Sequence, residues 1–260
     1  MYPFSFKEYC DYFEIDGGYS EHLQAYLGAG GLSGSYVYEH NEDRVAYITD
    51  VYKTFIKRDL IDRYKLSDEA LLDNLSEFLM ANISNLTNAN NISKILNMNK
   101  FETNHVTIGN YIKYLCNAFM FYKVKRYDIK GKKYLETIDK YYLSDLSFRY
   151  ALLGVREMDY GRAYENIVAM ELLRRGYDIY VGTLYQKEVD FVAMKGDEKI
   201  YIQVSDDVSN SRTMQRELMP LLSIRDAYPK MILSNTKYPM SLIDGVKHLD
   251  LARWLLRDES

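Results

Sequence analysis

Apolar side chains recur at helical spacing through the first half of the chain and in alternating or continuous short runs through much of the second. Leu23, Tyr26 and Leu27 place helix within residues 5–30, and Gly28, Gly30, Gly31 and Gly34 end it. A stripe of Val45, Ile48, Tyr52, Phe55 and Ile56 predicts a helix from Asp43 to Tyr64. Ser67-Asp-Glu-Ala reads as an N-cap followed by first-turn acids, and Leu71, Leu72, Leu75, Phe78 and Leu79 form the next apolar face. Ile92, Ile95 and Leu96 mark a short helix. A longer one runs from about His105 to Phe119 on Val106, Ile108, Ile112, Leu115 and Phe119.

Strand signals follow. Residues 121–129 alternate, Lys130-Gly131-Lys132 is a turn, and Lys140 to Ser144 returns as a strand. Three helices and a β-hairpin in this order are the ground plan of a winged helix-turn-helix. Beyond it the pattern predicts a helix from Asp159 to Gly176 and strands at Tyr177–Val181, Lys187–Met194 and Lys199–Ser205. A helix at Thr213–Leu222, a strand at Met231–Leu233 and a helix at Leu249–Leu256 complete the pattern. The fold class expected is α/β with a helical N-terminal part.

Composition narrows the function classes. The 260 residues allow two or three compact units, and 47% hydrophobic content is ample for burial. No run reaches the roughly 18 apolar residues of a membrane span, and the N-terminus lacks the basic and apolar regions of a signal peptide. Cys10 and Cys116 form neither a disulfide framework nor a close metal pair, which points to a reducing cytoplasm. Four scattered histidines argue against a zinc site. Gly28-Ala-Gly-Gly-Leu lacks the Lys and Ser/Thr of a phosphate loop and follows a helix, so it reads as a turn; with no Walker A motif, ATP hydrolysis by this chain alone is not expected.

Charge is unevenly placed. The net charge is −4, yet residues 120–140 hold seven basic side chains against three acids, while residues 1–50 hold nine acids against Lys7 and Arg44. A wing carrying Lys130, Lys132 and Lys133 suits DNA phosphates, and the third helix of the winged unit offers Asn110 and Lys113 outward. A solvated wing on a packing or spacer module is the competing reading. In the second half, Glu188 and Asp190 share one strand face and Gln203 and Ser205 another, because side chains at i and i+2 point the same way. If those strands pair, their oxygens converge with Glu165 of the preceding helix in a patch of the type that hard divalent cations prefer.

These pieces resemble, in order and spacing, the C-terminal part of a large family of prokaryotic AAA+ ATPase-like proteins. The resemblance rests on Tyr2-Pro-Phe-Ser-Phe-Lys-Glu-Tyr, Gly30-Gly-Leu, Asp59-Leu-Ile-Asp-Arg, Asn110-Tyr-Ile-Lys-Tyr-Leu and Lys140-Tyr-Tyr-Leu-Ser-Asp. It continues through Glu165-Asn-Ile-Val, Glu171-Leu-Leu-Arg-Arg-Gly-Tyr, Glu188-Val-Asp-Phe and Tyr201-Ile-Gln-Val-Ser. It implies a helical segment over 1–65 that ends an ATPase-like region. A winged helix-turn-helix over 66–145 and a restriction-endonuclease-like PD-(D/E)xK domain over 146–260 follow. In that fold a helix Glu, a strand Asp and a second acid bind Mg²⁺, and a Lys two residues later assists the attacking water. The matching positions are Glu165, Asp190, Gln203 and Ser205. Here Gln203 lacks the charge and Ser205 lacks the amine, which weakens both metal binding and catalysis; Lys187 or Lys199 would have to supply the amine.

The function expected is that of a noncatalytic or weakly catalytic module, standing apart from the ATPase core and binding nucleic acid or a protein partner such as that core. No cofactor is required, and Mg²⁺ is the ion the resemblance implies for Asp190, Gln203 and Glu165. One alternative is a Mg²⁺-dependent nuclease acting on DNA or RNA. The other is a protein-assembly module with no nucleic-acid role.

Overall fold

A computed structural model describes residues 2–154, 159–236 and 240–257. The chain forms α1 (Phe6–Tyr12), α2 (Tyr19–Ala29), α3 (Asn41–Phe55), α4 (Glu69–Ala81), α5 (Ala89–Met98) and α6 (His105–Asn117) before the hairpin β1 (Phe121–Asp128) and β2 (Lys133–Leu143). Then come α7 (Leu146–Leu153), α8 (Tyr160–Arg174), β3 (Asp178–Leu184), β4 (Lys187–Lys195) and β5 (Glu198–Ser205). The described chain closes with α9 (Ser211–Leu222), β6 (Lys230–Ser234), β7 (Met240–Ile243), β8 (Val246–Asp250) and α10 (Leu251–Leu255). It is a mixed α/β protein with helices first and a large mixed sheet after. No helix among the described residues is long and apolar enough to cross a membrane.

Two compact units interleave along the sequence. The first comprises Met1–Phe4, Ala25–Lys123 and Lys140–Met158. Leu72, Leu75, Leu79, Ile92, Ile108 and Leu115 of α4, α5 and α6 are buried in it, as their spacing predicts. The abundance of asparagine between these helices has a local cause. Asn88 Oδ1 accepts from the Asn91 N–H at 2.8 Å, and Asn104 Oδ1 accepts from Val106 and Thr107 at 2.9 and 3.0 Å. Each asparagine thus caps the helix that follows. The cap of α4 is Asp68, accepting from Leu71 at 2.9 Å, one residue beyond the expected Ser67. The helix expected over Asp43–Tyr64 is α3, continued by a π-helical stretch over Ile56–Asp62.

The glycine turn proves to be a cradle for an internal carboxylate. Asp145 Oδ2 accepts from the Gly31 N–H at 2.8 Å, and its Oδ1 accepts from Ser147 at 2.8 Å, capping α7. Gly30 has φ +67°, and a Cβ there would overlap Asp145 Oδ1. Burial pushes the Asp145 carboxyl above its ordinary range, and these N–H donors pull it part of the way back.

The second unit comprises Ser5–Gln24, Val124–Asp139 and Asp159–Ser260. Its sheet has the order β2-β1-β3-β4-β5-β6-β8-β7. The hairpin is therefore not an isolated wing. Strand β1 pairs in parallel with β3, with Arg126 opposite Val181 and Asp128 opposite Thr183. β4 is antiparallel to its neighbours β3 and β5, whereas β5, β6 and β8 run parallel. Leu218 and Leu221 of α9 pack on Tyr201, Ile232 and Val246 in a continuous apolar cluster; each such buried aliphatic side chain contributes about 1.5–3 kcal/mol. Helix α7 and strands β7 and β8 were not anticipated from the sequence, and the last helix starts two residues later than expected.

Candidate functional site

Helix α8, capped by Asp159 at the Arg162 N–H, carries a buried Glu165 and packs on β3, β4 and β5. The pairing of β4 with β5 runs from Lys195–Glu198 to Phe191–Ile202 and stops there. Just beyond, side chains replace the ladder. The Asp190 N–H donates to Gln203 Oε1 at 2.7 Å, and the Val204 N–H donates to Asp190 Oδ2 at 2.8 Å. Gln203 Nε2 in turn donates to Glu217 Oε2 at 2.8 Å, and Arg216 holds Glu217 Oε1 through Nε at 3.0 Å and Nη2 at 2.8 Å. Gln203 and Glu217 are buried. Ser205 is buried as well, opposite Ser234 in the parallel β5–β6 ladder.

The structure thus brings Asp190 of β4 and Gln203 of β5 together across the paired strands, and it adds Glu217, which the sequence pattern does not single out. Glu217 lies on the buried stripe of α9 with Leu218 and Leu221. A carboxylate on an apolar helix face was the available signal, since such a group is buried only with a partner. In this arrangement the glutamine is a better residue than a glutamate. Its oxygen accepts from backbone and its amide donates to a carboxylate, two tasks that one ionised group cannot perform together.

The same bonds oppose a Mg²⁺ site. The Gln203 oxygen and one Asp190 oxygen are already committed to backbone N–H groups, and Mg²⁺ demands near-octahedral oxygen geometry. Among the described residues no group of three or more His, Cys, Asp or Glu is placed to hold a metal ion. The residues do not fit the ion that the sequence resemblance implied. Nor do the amines move in to help. Lys187 Nζ donates to Ser223 Oγ at 3.0 Å, and Lys199 Nζ lies over the rings of Tyr127 and Tyr228 at 5.6 and 4.9 Å.

Lys187 instead belongs to a different feature, a cleft of about 1100 Å³ within the second unit. Three turns build it: Ile129–Lys132 between β1 and β2, Tyr185–Gln186 between β3 and β4, and residues 222–226 after α9. Asp128 Oδ1 shapes the first turn by accepting from Lys130 and Gly131 at 3.1 and 3.0 Å. Lys130, Lys132, Lys187 and Arg225 line the cleft against one acid, Asp226. That acid is already engaged: its Oδ2 accepts from Tyr201 Oη at 2.6 Å, and Lys230 Nζ lies 3.7 Å from its Oδ1. Lys133 is exposed at the start of β2. Asn110 and Lys113 are exposed on α6 in the first unit, whereas the hairpin lysines belong to the second.

A second cavity, of about 720 Å³, has Val208, Met214, Ile243 and His248 in its wall. His248 is a satisfied core histidine. Its Nε2 lies 2.8 Å from Ser234 Oγ and its Nδ1 lies 3.4 Å from Ser241 Oγ, and Ser234 is fully buried. Burial pulls the His248 pKa below its ordinary value of 6.5, with Asp250 opposing.

Two outcomes follow from this geometry. Gln203→Glu sets a carboxylate against Glu217, so it lowers the melting temperature at pH 8 by more than at pH 5, where one of the two acids takes a proton. Added Mg²⁺ does not restore the loss; rescue by the ion contradicts the hydrogen-bonded arrangement. For His248 the depressed pKa means that the unfolded chain takes up a proton first as pH falls. Stability is therefore lost from about pH 6.5 downward until the folded form also protonates. A thermal melt series from pH 7 to about pH 5 shows a smaller decline in His248→Gln than in the wild type.

Comparison with known proteins gives relatives without assigned functions. The chain is 35% identical over 264 residues to an uncharacterized protein of Haemophilus influenzae, covering 99% of this chain and 64% of that protein. It is 23% identical over 230 residues to the uncharacterized protein MJ1544 of Methanocaldococcus jannaschii, covering 83% of this chain and 51% of that one. The chain thus spans between half and two thirds of the length of these relatives. No solved structure matches it. Residues 20–159 match the model of a domain of unknown function, DUF8612, and with more than half of its length inside that match the chain belongs to the DUF8612 family.

Proposed function

We propose that this chain is a nucleic-acid-binding module that does not itself cleave. The observation that carries the reading is the basic cleft, where four cationic side chains in or beside three turns accompany an acid whose charge is already engaged. Lys130 and Lys132 were candidate phosphate contacts from the sequence, and Lys187 and Arg225 add to them. In a chain of net charge −4, such a local excess of positive charge is the electrostatic footprint of a polyanion partner.

The hydrogen bonds of Asp190, Gln203 and Glu217 support the second half of the reading, because they use those groups to close the β4–β5 fork. A nuclease-like ancestry for the second unit and a winged-helix origin for α4–α6 with the hairpin are part of the proposal, on the strength of the sequence resemblance. So is a partner ATPase core, which the longer relatives have room to carry.

Fluorescence anisotropy of a labelled oligonucleotide against salt tests the cleft. Four contacts give a slope of log K against log salt of about −3. Replacing Lys130, Lys132 and Lys187 together by Glu flattens that slope by about 2 and weakens binding at least tenfold. An unchanged slope in the triple variant, whose fold is checked by circular dichroism, removes the cleft from the reading. Incubation of plasmid and single strands with Mg²⁺ or Mn²⁺ leaves both intact; cleavage that is lost in Asp190→Ala overturns the noncatalytic half.

A further inference from the structure

One uncharged residue of the cleft has an uncommon placement. Tyr185 sits in the two-residue turn between β3 and β4, with its side chain 72% exposed and its backbone at φ +56°. A positive φ at a bulky residue is uncommon and unfavourable, since Gly or Asn adopts it with less strain. A large aromatic ring held out in water at such a position gains little for the fold, because aromatic side chains stabilise by burial. Its ring is part of the cleft wall, and Lys130 Nζ lies 4.8 Å from its centroid. The ammonium on one ring face leaves a flat apolar surface beside a cluster of cations.

An aromatic platform within a basic groove is the pairing that single-stranded nucleic acid requires. Bases unstacked from a partner strand expose their faces and stack on an aromatic ring, while the cations follow the phosphates. A duplex, with its bases stacked internally, offers no face for Tyr185 and presents only phosphates and groove edges. The dimensions agree. A cleft of about 1100 Å³ exceeds the roughly 300–1,000 Å³ of ordinary small-molecule pockets, and its lining combines apolar side chains such as Leu184 and Ile224 with four cations, as bases and phosphates together require.

Resting on the nucleic-acid reading above, we propose that the cleft is selective for single strands, with one base stacked on Tyr185 and the adjoining phosphates held by Lys130, Lys132, Lys187 and Arg225. The recognition is of stacking faces and phosphate, so DNA and RNA single strands share it. The cation–π contact places Lys130 where it meets both the ring and the phosphate of the stacked nucleotide.

The test compares a labelled single strand of DNA, its RNA counterpart and the matched DNA duplex, each titrated with the full chain at fixed salt. Wild type binds both single strands at least tenfold more tightly than the duplex. Tyr185→Ala loses at least fivefold on the single strands and leaves the weaker duplex binding unchanged, Tyr185→Phe retains single-strand affinity, and Tyr185→Gly, which relieves the backbone, loses affinity despite any gain in melting temperature. Equal affinity for duplex and single strand, or a Tyr185→Ala variant indistinguishable from wild type, overturns the stacking proposal. If the lysine substitutions still abolish binding in that case, the broader nucleic-acid reading survives. Failure of all three probes to bind removes both.

Discussion

Where β4 and β5 separate, the backbone N–H groups of Asp190 and Val204 lose their ladder partners and take side-chain oxygens instead. Leaving either group buried and unpaired costs about 1–3 kcal/mol. The fork is therefore stable only while Asp190 and Gln203 reach across it. Glu217, anchored by Arg216, fixes the orientation of the glutamine from α9. A strand fork, a helix and one exposed guanidinium thus act as a connected hydrogen-bond network, of the kind in which partial satisfaction is worse than none.

The polarity of the second unit follows from its turns. The strand pairing that ties β1 to β3 sets the β1–β2 turn beside the β3–β4 turn, and the segment after α9 closes the third side. Lys130 and Lys132, Lys187 and Arg225 come from separate parts of the chain and gather only because the sheet has this order. The engagement of Asp226 by Tyr201 and Lys230 keeps the one available acid from cancelling the field.

Much of the secondary structure was legible because its signals are local. The apolar stripes of α4 and α6 and the alternation of β1 identify those elements from a dozen residues at a time. Asp190 and Gln203 were also legible as neighbours, since strand periodicity puts each on a defined face. What the sequence hid is long-range or mixed in signal. Nothing near Arg126 announces a parallel partner at Val181. β8, Val246-Lys-His-Leu-Asp, carries polar residues that are buried by specific partners and so breaks the alternation that would have marked it. Helix α7 is short, although its Asp145 cap and Gly154 stop were in view. Glu217 was lost among the surface charges of α9 because burial of a single carboxylate depends on Gln203, fourteen residues away.

Amide hydrogen exchange at Val204 addresses the fork most directly. The bond to Asp190 Oδ2 predicts a protected Val204 N–H in the wild type, protection unaltered by excess Mg²⁺, and protection reduced at least tenfold in Asp190→Ala while distant strands keep theirs. A Val204 amide that exchanges freely in the wild type, or one that Mg²⁺ deprotects by drawing Asp190 away, contradicts the structural role assigned to these residues.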